Sequence, residues 1–169
     1  MVSHNNGHTE RVRCLAILIA QKEGADIEVV KKAAELHDIA RDSPNHAIAG
    51  AKVAREHLRK EGYNEDFIER VVHCIESHSF SSGVKPETLE AKILSDADKL
   101  DAIGAIGVAR AFLYSGEQGR TIEETLKHFE EKLLNLRKFI ETEYARKIAE
   151  ERHQFLVDFY KRIRSELEL

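Results

Sequence analysis

His37 and Asp38 stand side by side in AAELHDIARD, a stretch otherwise dominated by apolar and small residues. Burying either side chain without a partner costs several kcal/mol, so something has to compensate them. A divalent metal ion does so, because imidazole nitrogen and carboxylate oxygen are both ligands for Mn, Fe, Co, Ni or Zn. The alternative is that the two residues satisfy one another or the backbone. Further candidate ligands sit at the ends of apolar helical faces: His8 four residues before Val12, His78 three after Ile75, and Asp98 four after Leu94. Four helices could converge on one point there. Asp96, Asp98 and Asp101 crowd one short segment, where carboxylates repel unless cations relieve them or water solvates that edge. Asp96 and Asp101 read more readily than Asp98 as structural.

The elements that must position these residues are helices. Val12, Leu15, Ala16 and Ile19 repeat at helical spacing until Gly24, which places His8 at a helix entry. Asp26 caps a second helix carrying Val29, Val30, Ala33, Ala34, Leu36, His37 and Ala40, and this helix should break near Asp42 because Pro44 biases Ser43 away from helical angles. A third runs from about His46 to Gly62, and a fourth follows Asn64, with Ile68, Val71, Val72 and Ile75 leading to His78. After the loop SFSSGVKPE, Thr88 opens a run from Leu89 through DADKLDAIGAIGVARAF, whose two glycines suggest close packing. Thr121 and Glu124 form a capping box for a helix with Ile122, Leu126, Phe129, Leu133, Leu136 and Ile140, and a last helix starts near Tyr144. No segment alternates like a strand, so the expected fold is all-α, a single domain of about seven helices over 1–169, with a core at about 8–113 and C-terminal helices at about 121–166.

Hydrophobic residues at 42% are enough for a core, and two prolines with no Gly/Ser run leave no linker. A net charge of -4 from 26 basic and 30 acidic residues gives no global field for a nucleic acid. The N-terminal stretch lacks an uninterrupted apolar core and no segment approaches the ~20 apolar residues of a membrane span, so a cytoplasmic protein is expected. Cys14 and Cys74 lack a CxxC spacing and are expected to be reduced core thiols.

With those residues in view, the chain resembles the HD-domain metal-dependent phosphohydrolases. Their pattern of a His, an adjacent His-Asp pair and a distant Asp is matched by His8 in GHTERV, His37-Asp38 in AAELHDIARD and Asp98 in SDADKLDAIGAIGVAR. The similarity continues through NHAIAGAKVA, IESHSFSSG and EKLLNLRKFIETEYARKIAEERHQFL, and is nearest to a bacterial and archaeal branch that includes nucleotide pyrophosphatase-like proteins. An HD dipeptide alone is a weak signal, whereas four blocks in the right order are a strong one.

The resemblance implies that His8, His37, Asp38 and Asp98 hold a divalent metal ion (Mn, Fe, Co, Ni, Zn or Mg). His46 and His78 match positions that bind a second metal in dinuclear relatives, with Asp38 as bridge; contact with substrate phosphate is the alternative. The implied reaction is hydrolysis of a phosphate ester or phosphoanhydride in a small molecule, a nucleotide, by metal-activated water. Lys99 and Arg41, with Arg11 behind them, are the candidates to steady phosphates. Asp42 is the candidate general base or water-positioning group, and Asp101 completes the catalytic set. Arg41 stands where some nucleotidase relatives place a catalytic carboxylate, which leaves the base open. Lys132, Arg146, Lys147 and Arg152 could reach over the site or form a solvated face, and His4, His57, His73, His128 and His153 read as ordinary surface or packing residues. A phosphodiesterase of the same family, a non-catalytic nucleotide or metal sensor, a di-iron oxygenase and a homodimer through the C-terminal helices are the alternatives carried forward.

Overall fold

The structure, a computed structural model, describes residues 6–79 and 82–168; His4, Phe80 and Ser81 lie outside them. Eight α-helices follow one another: α1 (Asn6–Glu23), α2 (Ile27–Leu36), α3 (His46–Lys60), α4 (Glu65–Ser77), α5 (Leu89–Asp101), α6 (Gly104–Glu117), α7 (Ile122–Glu131) and α8 (Glu143–Leu167). A 3-10 helix at Leu133–Phe139 joins the last two. Among the described residues there is no strand. α1 lies against α2, α5 and α8, α3 packs on α4, and α6 with the 3-10 helix leans on α8.

Helix entries follow the local sequence. The Asp26 carboxylate accepts from Glu28 N and Val29 N, Asn64 Oδ1 from Phe67 N, and Thr88 Oγ1 from Ala91 N. Thr121 and Glu124 form the expected capping box. These bonds satisfy amide groups that a helix start leaves unpaired. α8 departs from that pattern. The residues just before it are held from another helix, because Asp96 on α5 accepts from Glu141 N, Thr142 N and Thr142 Oγ1, and in its first turn Tyr144 N donates to Glu23 Oε1 on α1.

Three expectations need correction. α2 ends at Leu36, so the His-Asp pair is not inside a helix; His37 is its C-cap and Asp38 opens a run of turns. The run from Leu89 through Phe112 is two helices. It breaks at Ala102–Ile103, and Gly104 takes a φ of +74°, a conformation that costs glycine little. At Gly107 the fit is tighter still, because a Cβ there would lie 2.3 Å from Ala102 O. The stripe from Ile122 to Ile140 is likewise not one helix. Leu133 and Leu136 are buried from a 3-10 segment, where a spacing of three stacks them on one face. The break after α5 makes eight α-helices among the described residues, in keeping with the about seven expected, and the 3-10 segment comes in addition.

Cys14 is also corrected: it is an exposed free thiol, while Cys74 is buried and burial pushes its thiol up to about 12.

Candidate metal centre

Six side chains from the ends of five elements meet at one end of the bundle. His8 comes from the first turns of α1, His37 and Asp38 from the end of α2, His46 from the start of α3, His78 from the C-cap of α4, and Asp98 from the last turn of α5. His8, His37 and Asp98 form one group whose ligand atoms converge, and Asp38, His46 and His78 form a second.

The tautomers of three rings are fixed by their outer nitrogens. His37 closes α2 and its Nδ1 donates to Ala34 O at 2.8 Å, three residues back. His78 closes α4 in the same way, donating from Nδ1 to Ile75 O. In both cases the ring binds a carbonyl in the last turn of its own helix, where a helix leaves carbonyls unpaired, and the same bond turns Nε2 inward. His8 Nδ1 donates to Asp101 Oδ2 at 2.8 Å, since a carboxylate can only accept. With Nδ1 so engaged, Nε2 is the atom each ring turns to the centre.

The converging atoms are close together. His8 Nε2 lies 3.4 Å from His37 Nε2 and 3.4 Å from Asp98 Oδ1, and 3.5 Å from Asp38 Oδ2. Ligands held about 2.0–2.2 Å from a common point in a tetrahedron stand roughly 3.3–3.6 Å apart, so this donor set fits a divalent ion. A single proton could relieve one of these contacts. A cation relieves all of them.

Electrostatics agree with that donor set. Burial pushes Asp98 up, but the imidazoles of His78, His37 and His8 and the Arg110 guanidinium outweigh it and hold the carboxyl well below the usual range. Asp38 is lowered too, His37 and Arg41 overcoming its burial. His46 is driven toward the neutral form by burial, His78 and Arg41, and His78 by burial and His37 against the pull of Asp98. Carboxylates held ionised, beside His46 and His78 driven toward the neutral form, are a state that divalent metals bind.

Asp101 does not face this centre as a catalytic group would. It is buried behind His8, where Oδ1 accepts from Arg11 Nε at 2.7 Å and Oδ2 from Arg11 at 3.1 Å and from Arg110. Despite its burial, the bonds from His8 and Arg11 and the charge of Arg110 bring its carboxyl down to about 2. The arrangement is a carboxylate orienting a candidate ligand through its far nitrogen. Arg11 is thus part of the same support. Arg110 was not singled out from sequence, where nothing distinguishes it from a surface cation.

Lys99 is also placed differently from expectation. It is buried, its Nζ donates to Ser95 Oγ at 2.6 Å, and Ser95 in turn donates to His78 O at 3.0 Å. It lines a cavity of about 340 Å³ with Ser77, Lys85, Phe139 and Glu141, none of which belongs to the two ligand groups. Asp42 is exposed and outside both groups. Arg41 is at the centre: its Nη1 lies 3.2 Å from Asp38 Oδ1 and 3.5 Å from His46 Nε2.

Among the remaining cations, Arg152 donates to Leu100 O, Arg146 to Ile140 O, and Lys147 pairs with Glu143. Lys132 and His128 instead line a cavity of about 500 Å³ that also takes in Arg41 and Arg110.

This geometry coincides with a family match: the HD-domain model aligns with residues 6–103. The chain belongs to the HD-domain family. The HD match contains all six converging residues and ends before Arg110. Uncharacterized protein YpgQ of Bacillus subtilis is 35% identical over 173 residues, covering 97% of this HD-domain chain and 84% of YpgQ. The crystal structure of YpgQ in complex with ADP superposes with a TM-score of 0.83 at 34% identity, over 97% of this chain and 90% of that one. An HD-superfamily hydrolase from Bacillus thuringiensis matches with a TM-score of 0.79 at 33% identity, over 96% of this chain and 85% of that one. This HD-domain protein is accordingly a metal-dependent phosphohydrolase. No helix among the described residues is long and apolar enough to cross a membrane.

Proposed function

We propose that the protein hydrolyses a phosphoanhydride bond of a nucleotide, converting a nucleoside triphosphate to the monophosphate and pyrophosphate. The observation that carries the reading is the convergence of His8 Nε2, His37 Nε2, Asp38 Oδ2 and Asp98 Oδ1 with the imidazole protons committed elsewhere. These four residues are the ligand set of one divalent ion. The N/O donors without sulfur suit Mn, Fe, Co, Ni or Zn, and Mg less well. Bound there, the ion supplies Lewis acidity toward a phosphoryl oxygen and toward an attacking water.

The second group is served differently. The Arg41 guanidinium stands between Asp38 and His46 as a built-in cation, so one metal per chain with Arg41 beside it is the state these side chains favour. Asp38 holds its place through both contacts, Oδ2 toward His8 and Oδ1 toward Arg41. Arg41 is then positioned to take negative charge that develops on the phosphoryl oxygens. Water attacks the α-phosphorus, the bond from that phosphorus to the bridging oxygen breaks, and the bridging oxygen leaves with pyrophosphate. The proton lost from water passes to solvent.

Nucleotide chemistry draws its support from YpgQ, whose crystal structure contains ADP, and from the cationic side chains around Arg41. The test is a product assay with purified protein and Mn, Co, Ni, Mg or Zn against a nucleotide panel, separating phosphate from pyrophosphate. Monophosphate with pyrophosphate is expected. Phosphate with nucleoside would make the enzyme a nucleotidase, and silence with metal bound would turn attention to phosphodiesters or sensing.

A further inference from the structure

The cavity of about 500 Å³ beside the candidate metal centre is lined by Arg41, Arg110, Arg120, His128 and Lys132, with Tyr114 and small or apolar residues between them and no acidic side chain. Two of those cations tie it to the centre, Arg41 through Asp38 and Arg110 through Asp101, which orients His8. The other three come from the loop after α6, from α7 and from the residue that follows it.

Arg120 and Lys132 are exposed and form no ion pair among the described residues, unlike most arginines of this chain. Arg120 lies over the Tyr114 ring at 5.5 Å, which holds the guanidinium at the cavity wall. His128 is half-buried and within the field of both Lys132 and Arg120. Arg41 and Arg110 have carboxylate partners, but adding Arg120 and Lys132 without any is unfavourable, and an anion of high charge density relieves it. The Lys99 cavity, by contrast, carries its own carboxylate in Glu141.

We infer that this cavity binds the terminal phosphates of a polyphosphate chain whose scissile phosphate sits at the metal centre, with Arg120, His128 and Lys132 setting the preference for triphosphates. Its own cations lie beyond residue 103, where the family match ends, so the HD core does not supply them. A nucleoside would not need that charge, whereas a terminal phosphate carries about -1.5 to -2 near neutral pH. The base and sugar therefore extend away from α7. This inference rests on the hydrolase reading for the scissile phosphate but concerns a separate set of side chains.

The experiment is calorimetric binding of inorganic tripolyphosphate to the manganese-loaded protein, followed by turnover of nucleoside triphosphates. Because Arg120 and Lys132 are exposed, R120A/K132A keeps the fold, which circular dichroism and unchanged metal content verify. Affinity for tripolyphosphate should fall roughly 10- to 100-fold in that variant, as expected for losing one or two charge-assisted contacts. The control Lys147→Ala, on α8 and paired with Glu143, should bind as the wild type does. Equal tripolyphosphate affinity in wild type and R120A/K132A overturns the cavity assignment even if nucleotides are hydrolysed. Loss of binding in the variant upholds it even if nucleotides are not the substrate. A single-stranded oligonucleotide that binds through Arg120 and Lys132 where tripolyphosphate does not would overturn it in favour of a nucleic-acid backbone.

Discussion

His8 Nε2 and His37 Nε2 face one another at 3.4 Å, while the Nδ1 protons of the two rings are held by Asp101 and by Ala34 O. A divalent ion should therefore stabilise the fold. At a concentration about 100 times its dissociation constant it adds ~2.7 kcal/mol, which for a chain of this length raises Tm by roughly 5–10 °C. Thermal unfolding with metal and then with chelator measures this. His37→Ala and Asp38→Ala should abolish both the shift and activity; full metal occupancy by elemental analysis in either variant would disprove the ligand set.

Asp101 acts on the metal only through His8. Asp101→Asn should weaken metal affinity about 10- to 100-fold, as loss of an outer partner of a histidine ligand does. It also leaves Arg11 and Arg110 facing an uncharged group in a buried site, so the metal-free protein should lose on the order of 3 kcal/mol. Metal titration and denaturant unfolding separate the two effects. A variant equal to wild type in metal affinity would remove Asp101 from the site.

The Arg41 guanidinium stands beside Asp38 and His46, two of the three residues of the second group. Wild type should carry one tightly bound ion per chain, and Arg41→Ala should move the stoichiometry toward two. Elemental analysis after gel filtration decides this. Two tight ions in the wild type would show that the guanidinium yields to a metal.

Asp96 offers a contrast, because it lies two residues from Asp98 yet its carboxylate is spent on the entry to α8. Asp96→Asn should cost about 1–3 kcal/mol, since the amide replaces one acceptor oxygen and leaves buried donors poorly paired. Metal content should not change. A loss of metal in a stably folded Asp96→Asn protein would argue against this assignment.

His128 gives the proposed cavity a pH dependence. Burial lowers its pKa from the ordinary value of about 6.5, and Lys132 and Arg120 lower it further against the weaker pull of Glu131. The depressed value means that its contribution to stability is present above about 6.5 and is lost as pH falls through the lowered folded value. Phosphates in the cavity would offset both cations and raise His128 again, so binding should take up a proton and tighten as pH falls below about 6.5. Calorimetry in two buffers of different ionisation enthalpy reads the proton directly. His128→Gln should bind without proton uptake; uptake that survives in this variant would assign the proton elsewhere.

The sequence by itself determined the helical class and the helix starts at Asp26, Asn64, Thr88 and Thr121, because apolar spacing and capping are local. Apolar spacing brought His8, His37, Asp38, His78 and Asp98 forward, the resemblance added His46, and the fold gathers those six. Roles that depend on neighbours far along the chain were decided only by tertiary structure. Asp101 meets residues 90 and 93 positions away in Arg11 and His8, and Asp96 meets Thr142 across 46. Lys99 turns to Ser95, away from the role its place beside Asp98 suggested. The break at Gly104 and the 3-10 segment after α7 follow from close backbone approach and packing, which a periodic apolar pattern does not encode. After that break α6 brings Arg110 to Asp101 and to the wall of the basic cavity. Charges on separate helices acquire a common function only when the fold brings them within each other's field.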